Sequence, residues 1–341
     1  MAVAKEPVST GVAEGWSVAI VSSRETVDTL RSSVEAVLAA LGSAPTTVDV
    51  LVNGNPSLAE QMTGIVRELR SAASCAVSIR LWHIPVGDKA HAWNQYLHWI
   101  WPQTQITYFV DGYAQVAPDS LSLLAEGLES HPHAWAISGV PSVGRTAKAL
   151  SQQMIQEGGG HGTLHAIRGE VCLLLRRRGF RMPLGLYRVD GLIFALIAFA
   201  LDPATNHWDT SRTVVHPQAT WSFRPLAWWR PSDLRTYAKR LLRQAQGDLE
   251  NRGIRQHLAV RRLAPESLPP ISSDLVRDWC TAFPVQAGVM FLCNPLRWFA
   301  LRRLRHPRDW SQAKLNPTLL AQQSLSGVTQ TLASVGSIST D

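Results

Sequence analysis

The chain has 341 residues, of which 45% are apolar, and it carries a formal net charge of +7. This size allows one large α/β domain with an appendage, or two modest domains, each with a real hydrophobic core. The composition excludes a bilayer-spanning protein, because the longest apolar runs, 192–201 and 287–293, are too short to cross a membrane. Residues 1–15 lack the apolar stretch of a secretory signal.

The cysteines point to a reducing compartment. The four residues, Cys75, Cys172, Cys280 and Cys293, have neither CxxC spacing nor a histidine partner at metal-site intervals. They are therefore predicted to be buried thiols, and the protein to be cytoplasmic.

The positive charge is concentrated in the second half of the chain. Between Trp221 and Trp310 there are 16 Arg and Lys residues against 7 Asp and Glu, a local excess of +9. Such an excess predicts an anionic partner, which can be a lipid headgroup, a phosphorylated substrate or a nucleic acid. No recognised nucleic-acid-binding motif is present, so nucleic acid is not expected.

The first half of the chain alternates strand and helix patterns. Apolar runs at 16–21, 48–52, 77–83 and 106–110 predict buried strands, and each is followed by a helical pattern. Four such repeats predict an α/β fold with a doubly wound, mainly parallel sheet and right-handed crossovers. Further strands are predicted at 134–140 and 163–167, with a glycine-rich loop at 156–162 that is long enough to move over a site.

The boundaries follow from composition. We expect a flexible N-terminus at 1–15, the α/β domain at 16–225, a helical, basic extension at 226–314, and a polar, partly disordered tail at 315–341.

Polar groups follow four of the predicted strands: the segment 22–25, the turn 53–55, the segment 87–94 and the acid Asp111. Because the carboxyl ends of parallel strands lie along one edge of a sheet, these groups are expected to form one cleft. Taken alone, Asp111 is equally consistent with a turn acid that closes its strand.

In combination, these segments resemble the family 2 glycosyltransferases with a GT-A fold. The motifs that carry the resemblance over roughly residues 16–225 are Glu25 after the first strand, Asn53-Gly-Asn55, Gly87-Asp-Lys-Ala-His-Ala-Trp-Asn94, Val110-Asp-Gly-Tyr-Ala-Gln-Val-Ala-Pro-Asp119 and Tyr187-Arg-Val-Asp-Gly191. The resemblance implies transfer of a sugar from a nucleotide-diphosphate sugar to an acceptor hydroxyl or amine, with inversion and a divalent metal, Mg²⁺ or Mn²⁺.

The resemblance also implies a role for each candidate residue. The donor-binding residues would be Ser22, Glu25, Asn53, Lys89, Asp111 and Tyr113, and the metal ligands would be Asp111 and His216. Asp190 would be the base that deprotonates the acceptor. Three of these residues also have a purely structural alternative. Lys89 would be a solvated surface lysine, Asp190 a helix N-cap, and His216 a core or surface histidine.

The chain departs from the family pattern at three places. Tyr113 replaces the second acid of the Asp-x-Asp motif, Val189 precedes the presumed base, and Asn53 removes a charge from the nucleoside turn. These changes keep open a degenerate GT-A domain that serves as a binding or scaffold module. A nucleotidyltransferase is a third alternative, although it would need glycines in the loop after the first strand, which residues 21–25 lack.

Two basic, aromatic segments suggest peripheral contact with an anionic membrane at its inner face. They are Trp228-Trp229-Arg230-Pro231 and the segment 291–305, in which Trp298 and Phe299 stand among arginines.

Overall fold

The computed structural model of the chain describes residues 11–69, 76–144, 146–224 and 231–325. The strands are β1 (Ala13–Ser22), β2 (Thr46–Asn53), β3 (Val77–Ile84), β4 (Thr104–Asp111), β5 (Gln115–Val116), β6 (Ala136–Pro141), β7 (Leu164–Arg168), β8 (Thr213–Ser222) and β9 (Thr318–Leu325). The helices are α1 (Val27–Ala39), α2 (Pro56–Glu68), α3 (Lys89–Gln95), α4 (Ser120–Ser130), α5 (Ala147–Glu157), α6 (Gly169–Arg177), α7 (Val189–Ala198), α8 (Pro231–Arg255), α9 (Ser272–Ala282), α10 (Pro284–Cys293) and α11 (Pro295–Arg305).

The described strands form a single sheet in the order β5-β8-β6-β7-β4-β1-β2-β3-β9. Its centre is parallel: β1 pairs with both β2 and β4, and β2 pairs with β3, all in the same direction. Apolar side chains such as Val18, Ile20 and Leu51 are fully buried, as expected for strands covered by helices on both faces. The mainly parallel α/β fold is therefore confirmed.

The other half of the sheet is mixed. β7 runs antiparallel to both β4 and β6, and β8 runs parallel to β6. The short β5 pairs antiparallel with the end of β8. This arrangement brings the loop at 156–162, which precedes β7, beside the end of β4, because Asp111 N donates to Thr163 O at 3.0 Å.

Both ends of the described chain contribute to the sheet more than composition indicated. β1 begins at Ala13, within the segment expected to be flexible, and Ala13 pairs with Thr104 of β4. Residues 318–325 of the polar tail form β9, which pairs antiparallel with β3. An edge strand is paired on one side only and is partly exposed to water, so a strand with the polar residues 322–324 can occupy this place.

The helical extension shares a hydrophobic core with the sheet. Ile254 and Leu258, at the end of α8 and in the turn after it, belong to the same buried cluster as Ala19 of β1 and Phe109 of β4. A smaller cluster joins α8, α9 and α11 through Leu249, Val276, Trp279, Ala300 and Leu301. The separation of the extension from the α/β domain stays a prediction, since residues 225–230 lie outside the described part of the chain.

The cysteine prediction holds in part. Cys172 is buried, whereas Cys280 is half-buried and Cys293 is exposed at the end of α10. Cys75 lies outside the described residues, as do Trp228 and Trp229. In the described ranges, no helix combines the length and the apolar character needed to cross a membrane.

Candidate active site

An open cleft of about 900 Å³ lies at the carboxyl edge of the parallel strands, where open α/β sheets bind ligands. It is lined by seven of the eight side chains expected at the site: Ser22, Glu25, Asn53, Lys89, Asp111, Tyr113 and Asp190. The loop at 156–162, the segment after α6 and the end of α11 complete its walls. The strand ends that the sequence analysis grouped therefore lie in one cleft.

Glu25 organises the turn that follows β1. Its Oε2 accepts hydrogen bonds from Ser22 Oγ at 2.7 Å, Ser23 N at 2.7 Å and Arg24 N at 2.8 Å. Three donors on one carboxylate oxygen fix the conformation of the turn. Glu25 and Ser22 thereby shape this wall of the cleft and set the position of Arg24.

Asn53 ends β2 with an open hydrogen-bond acceptor. Its side chain is 2% exposed, and its Oδ1 has no hydrogen-bond partner among the described residues. Buried polar atoms are nearly always paired, so an orphan acceptor beside a cleft indicates a ligand donor. Gly54, with a φ of +65°, lies against Gly87, where a Cβ would come within 2.3 Å of the Gly87 backbone. This close approach locks the two turns together.

Lys89 forms an ion pair with Asp111. The alternative interpretation of Lys89 as a solvated surface lysine is therefore excluded. The Nζ to Oδ1 distance is 2.5 Å, and the two side chains are 36% and 14% exposed. Burial acts against both charges, yet the carboxylates of Asp111 and Asp190 raise the pKa of Lys89 above its ordinary value. Burial likewise favours neutral Asp111, but Lys89 and the hydroxyl of Tyr113 hold its pKa below the usual range.

The second oxygen of Asp111 is also occupied. Its Oδ2 accepts from the Tyr113 hydroxyl at 2.9 Å and from Thr163 Oγ1 at 3.1 Å. Tyr113, which occupies the position of the second acid of the motif, thus donates to the first acid, Asp111. Thr163 carries no motif in the sequence, and only the pairing of β7 with β4 shows its role.

Asp190 lies in the first turn of α7, and Arg188 occupies the N-cap position, so the N-cap alternative for Asp190 is wrong. Its Oδ2 instead accepts from Gly162 N at 3.2 Å. A Cβ on Gly162 would lie 3.0 Å from the Cβ of Asp190, so the loop approaches this closely because residue 162 is glycine. The glycine-rich loop therefore lines the cleft beside Asp190, and Gly162 O lies 3.5 Å from Lys89 Nζ.

Glu250, which the sequence did not single out, holds the segment that carries Asp190. It is fully buried in α8 and accepts from Tyr187 N at 2.9 Å and from Arg188 N at 3.0 Å. Gln246 Nε2 donates to the same carboxylate at 2.7 Å. Burial raises the pKa of Glu250 to about 7 despite these donors. Its only sequence signal was an acid in a basic helix, which also contains Asp233 and Asp248.

His216 does not join the site. It lies in β8, its Nδ1 accepts from Ala219 N at 3.2 Å, and its ring packs beside Gly127 of α4. It is absent from the residues that line the cleft. The metal-ligand assignment for His216 thus has no support from its position, and burial lowers its pKa as for a partly covered histidine.

Three arginines from distant parts of the chain meet at the mouth of the cleft. Arg24 follows β1, Arg303 lies in α11 and Arg308 follows that helix. Burial lowers the pKa of Arg303, and so do the positive charges of Arg24 and Arg308. We call these three residues the basic rim. The sequence assigned Arg303 to a membrane surface because nothing local indicates that α11 points toward the cleft.

Comparison with known proteins gives structural matches alone. No family model and no curated protein sequence matches the chain. The mannosyltransferase PcManGT from Pyrobaculum calidifontis, solved in complex with GDP-Man and Mn²⁺, is similar with a TM-score of 0.50 and 17% identity over 88% of each chain. TarS from S. aureus, residues 1–349 in complex with UDP-GlcNAc, has a TM-score of 0.41 and 12% identity over 85% of this chain and 90% of that one. The chain therefore shares the α/β fold of this mannosyltransferase.

Proposed function

We propose that the chain is a glycosyltransferase that moves a sugar from a nucleotide-diphosphate sugar to an acceptor hydroxyl or amine. The observation that carries the proposal is one cleft that holds the Lys89–Asp111 pair and, beside it, the carboxylate of Asp190. A cation for the leaving group and a carboxylate for the acceptor proton are the two groups that such a transfer needs. The mannosyltransferase that shares the fold was solved with a nucleotide sugar, which supports this substrate class.

On the donor side, Asn53 would accept a hydrogen bond from the nucleoside, since its buried Oδ1 has no partner among the described residues. Lys89 would contact the diphosphate, and the turn fixed by Glu25 would border it. Asp111 would keep Lys89 charged and in place, while Tyr113 would keep Asp111 oriented.

On the acceptor side, Asp190 would act as the base. The acceptor oxygen or nitrogen forms a bond to the anomeric carbon, the bond from that carbon to the phosphate oxygen breaks, and its electron pair leaves with the nucleoside diphosphate. The acceptor proton passes to the Asp190 carboxylate. Attack on the face opposite the leaving group would invert the anomeric configuration.

The divalent metal and the family 2 assignment stay predictions. Support for a metal comes from the Mn²⁺ in the similar mannosyltransferase. The donor set here does not favour it: Asp111 is a single carboxylate whose two oxygens already accept from Lys89, Tyr113 and Thr163. No step of the proposed reaction is assigned to a metal.

A non-catalytic binding module is the second candidate. It is favoured by Tyr113, which stands in place of the second acid of the Asp-x-Asp motif. In this candidate, the cleft would bind a nucleotide sugar but would not transfer the sugar. Both candidates predict nucleotide binding, so turnover separates them.

Peripheral membrane contact is proposed on revised grounds. Arg303 and Arg305 line the cleft, so the proposal does not rest on them. The helices α10 and α11 nevertheless expose apolar side chains, with Val285 78% and Leu292 87% exposed, together with Phe299. Exposed apolar helices of this kind suit a bilayer interface. The cytoplasmic location stays a prediction.

The test is incubation of the purified protein with a panel of nucleotide sugars that includes GDP-mannose and UDP-GlcNAc. Released nucleoside diphosphate and binding heats would be measured in parallel. We expect at least one donor to bind and to be hydrolysed slowly without acceptor. Binding without any release would favour the binding module, and no binding to any donor would refute both candidates.

A further inference from the structure

The strand-end acid of this cleft is already neutralised from within the chain. Lys89 Nζ contacts Asp111 Oδ1, while the hydroxyls of Tyr113 and Thr163 donate to Oδ2. A divalent cation binds a carboxylate through its oxygen lone pairs. Without breaking these bonds, such a cation could use only the remaining lone pair of Asp111 Oδ1, where the positive charge of the Lys89 ammonium opposes it.

The surroundings do not supply other ligands. In the parts of the chain that the structure describes, no group of three His, Cys, Asp or Glu residues could hold a metal ion. Tyr113 stands where a second acid would be needed, and His216 packs beside α4, outside the lining of the cleft. The donor set therefore does not fit a divalent cation.

The same cleft is rich in fixed positive charge. The basic rim, which consists of Arg24, Arg303 and Arg308, faces the cavity that Lys89 also lines. Within the described ranges, none of the three guanidinium groups forms an ion pair with a carboxylate, although Arg308 stacks on Trp310 at 4.4 Å from the ring centroid. Glu25 and Asp88 also line the cleft, and the charge of Arg308 lowers the pKa of Asp88. Because no described carboxylate pairs with the three arginines, an anion would stabilise the basic rim.

We propose that Lys89 and the basic rim hold the diphosphate of the donor in place of a divalent cation, so that this cleft binds nucleoside diphosphates without metal. The inference rests on the proposed function and goes beyond it by naming the groups that neutralise the leaving charge. Guanidinium groups suit this task because their planar N–H donors match phosphate oxygens in pairs. The ammonium of Lys89 supplies a fixed charge close to Asp111.

The first measurement is calorimetric titration of UDP and GDP into the full-length chain, once with EDTA and once with Mn²⁺. We expect at least one of the two nucleotides to bind with a Kd that differs by less than about threefold between the two buffers. Binding that requires Mn²⁺ would overturn the inference and leave the proposed function standing. No binding in either buffer would overturn both.

The second measurement uses variants under the EDTA condition. Arg303→Gln and Lys89→Gln should each weaken binding by about tenfold, as expected for one lost charge-assisted hydrogen bond. The matched control is Arg302→Gln, the neighbouring residue in α11, which does not line the cleft. Unchanged affinity in Arg303→Gln, or an equal loss in the control, would contradict the assignment.

Because Lys89→Gln leaves Asp111 without its ion-pair partner, a melting curve must accompany it. Arg303 lies at the exposed end of a helix and makes no ion pair in the described structure, so its variant is expected to fold normally. The nucleotide affinity of Arg303→Gln therefore tests the inference even if Lys89→Gln is unstable.

Discussion

Replacing Glu250 by glutamine tests how the C-terminal helices hold the cleft. The carboxylate is fully buried in α8 and accepts N–H bonds from Tyr187 and Arg188, just before Asp190. Burial is the largest influence on its pKa and raises it from 4.5 to about 7, against the lowering effect of Gln246 and the two backbone donors. The ionised form is therefore costly in the folded protein.

The sign of the pH dependence follows from the raised pKa of Glu250 in the folded protein. Because the folded state binds the proton of Glu250 more tightly than the unfolded state, its contribution to stability is complete below about pH 4.5. This contribution to stability is lost as the pH rises through about 7. An acidic residue whose pKa is lowered on folding behaves in the opposite way, because its contribution is lost as the pH falls. A pKa raised from 4.5 to about 7 corresponds to a loss of about 3 kcal/mol. Glutamine keeps the size and an acceptor oxygen but has no proton to lose.

The assay is urea unfolding of wild type and Glu250→Gln between pH 5 and pH 8. Other groups titrate in both proteins, so the difference between their unfolding free energies isolates residue 250. Wild type should lose about 2.5 kcal/mol relative to the variant across this range. Glu60→Gln, on the exposed side of α2, is the matched control and should follow wild type. Parallel pH profiles for wild type and Glu250→Gln would refute the reasoning that burial dominates over the three donors.

Three further predictions concern the cleft and the exposed helices. Asp111→Asn should reduce transfer by about 10²-fold or more with the fold intact by circular dichroism, because Lys89 loses its charged partner; unchanged turnover would remove Asp111 from the site. Asp190→Asn should lower kcat by about 10²-fold, as expected for a lost base, with nucleotide affinity nearly unchanged; a large loss of nucleotide binding would place Asp190 on the donor side. Finally, the double change of Leu292 and Phe299 to Gln should reduce co-sedimentation with anionic vesicles at low salt, and the membrane idea fails if wild type itself stays in the supernatant.

The centre of the fold could be read from the sequence because its signals are local. The four parallel strands are apolar runs, and a parallel sheet places their ends along one edge whatever the loops do. This is why Asn53, Lys89 and Asp111 were expected in one cleft. The argument from strand ends could not predict that Lys89 and Asp111 form an ion pair, with a distance of 2.5 Å between Nζ and Oδ1.

The groups that complete the cleft could not be predicted, because their positions depend on contacts between distant segments. Glu250 bonds Arg188, just before α7, from 62 residues further along the chain, and no periodic pattern marks it. Arg303 belongs to a helix whose sequence is equally consistent with a lipid-facing or a cleft-facing surface. Only the packing of α11 against α8 and α9 decides between them.

The position of β9 has a consequence for how the protein is made. The chain leaves the sheet at β8 and returns at the opposite edge, where β9 pairs with β3 and Gln95 Nε2 donates to Leu315 O just before the strand. Until residues 303–325 have emerged from the ribosome, β3 presents an open edge and the cleft lacks two of its three rim arginines. A nascent chain would therefore acquire β1 to β8 before it has the complete basic rim, and during that interval the bare edge of β3 would be open to pairing with other chains.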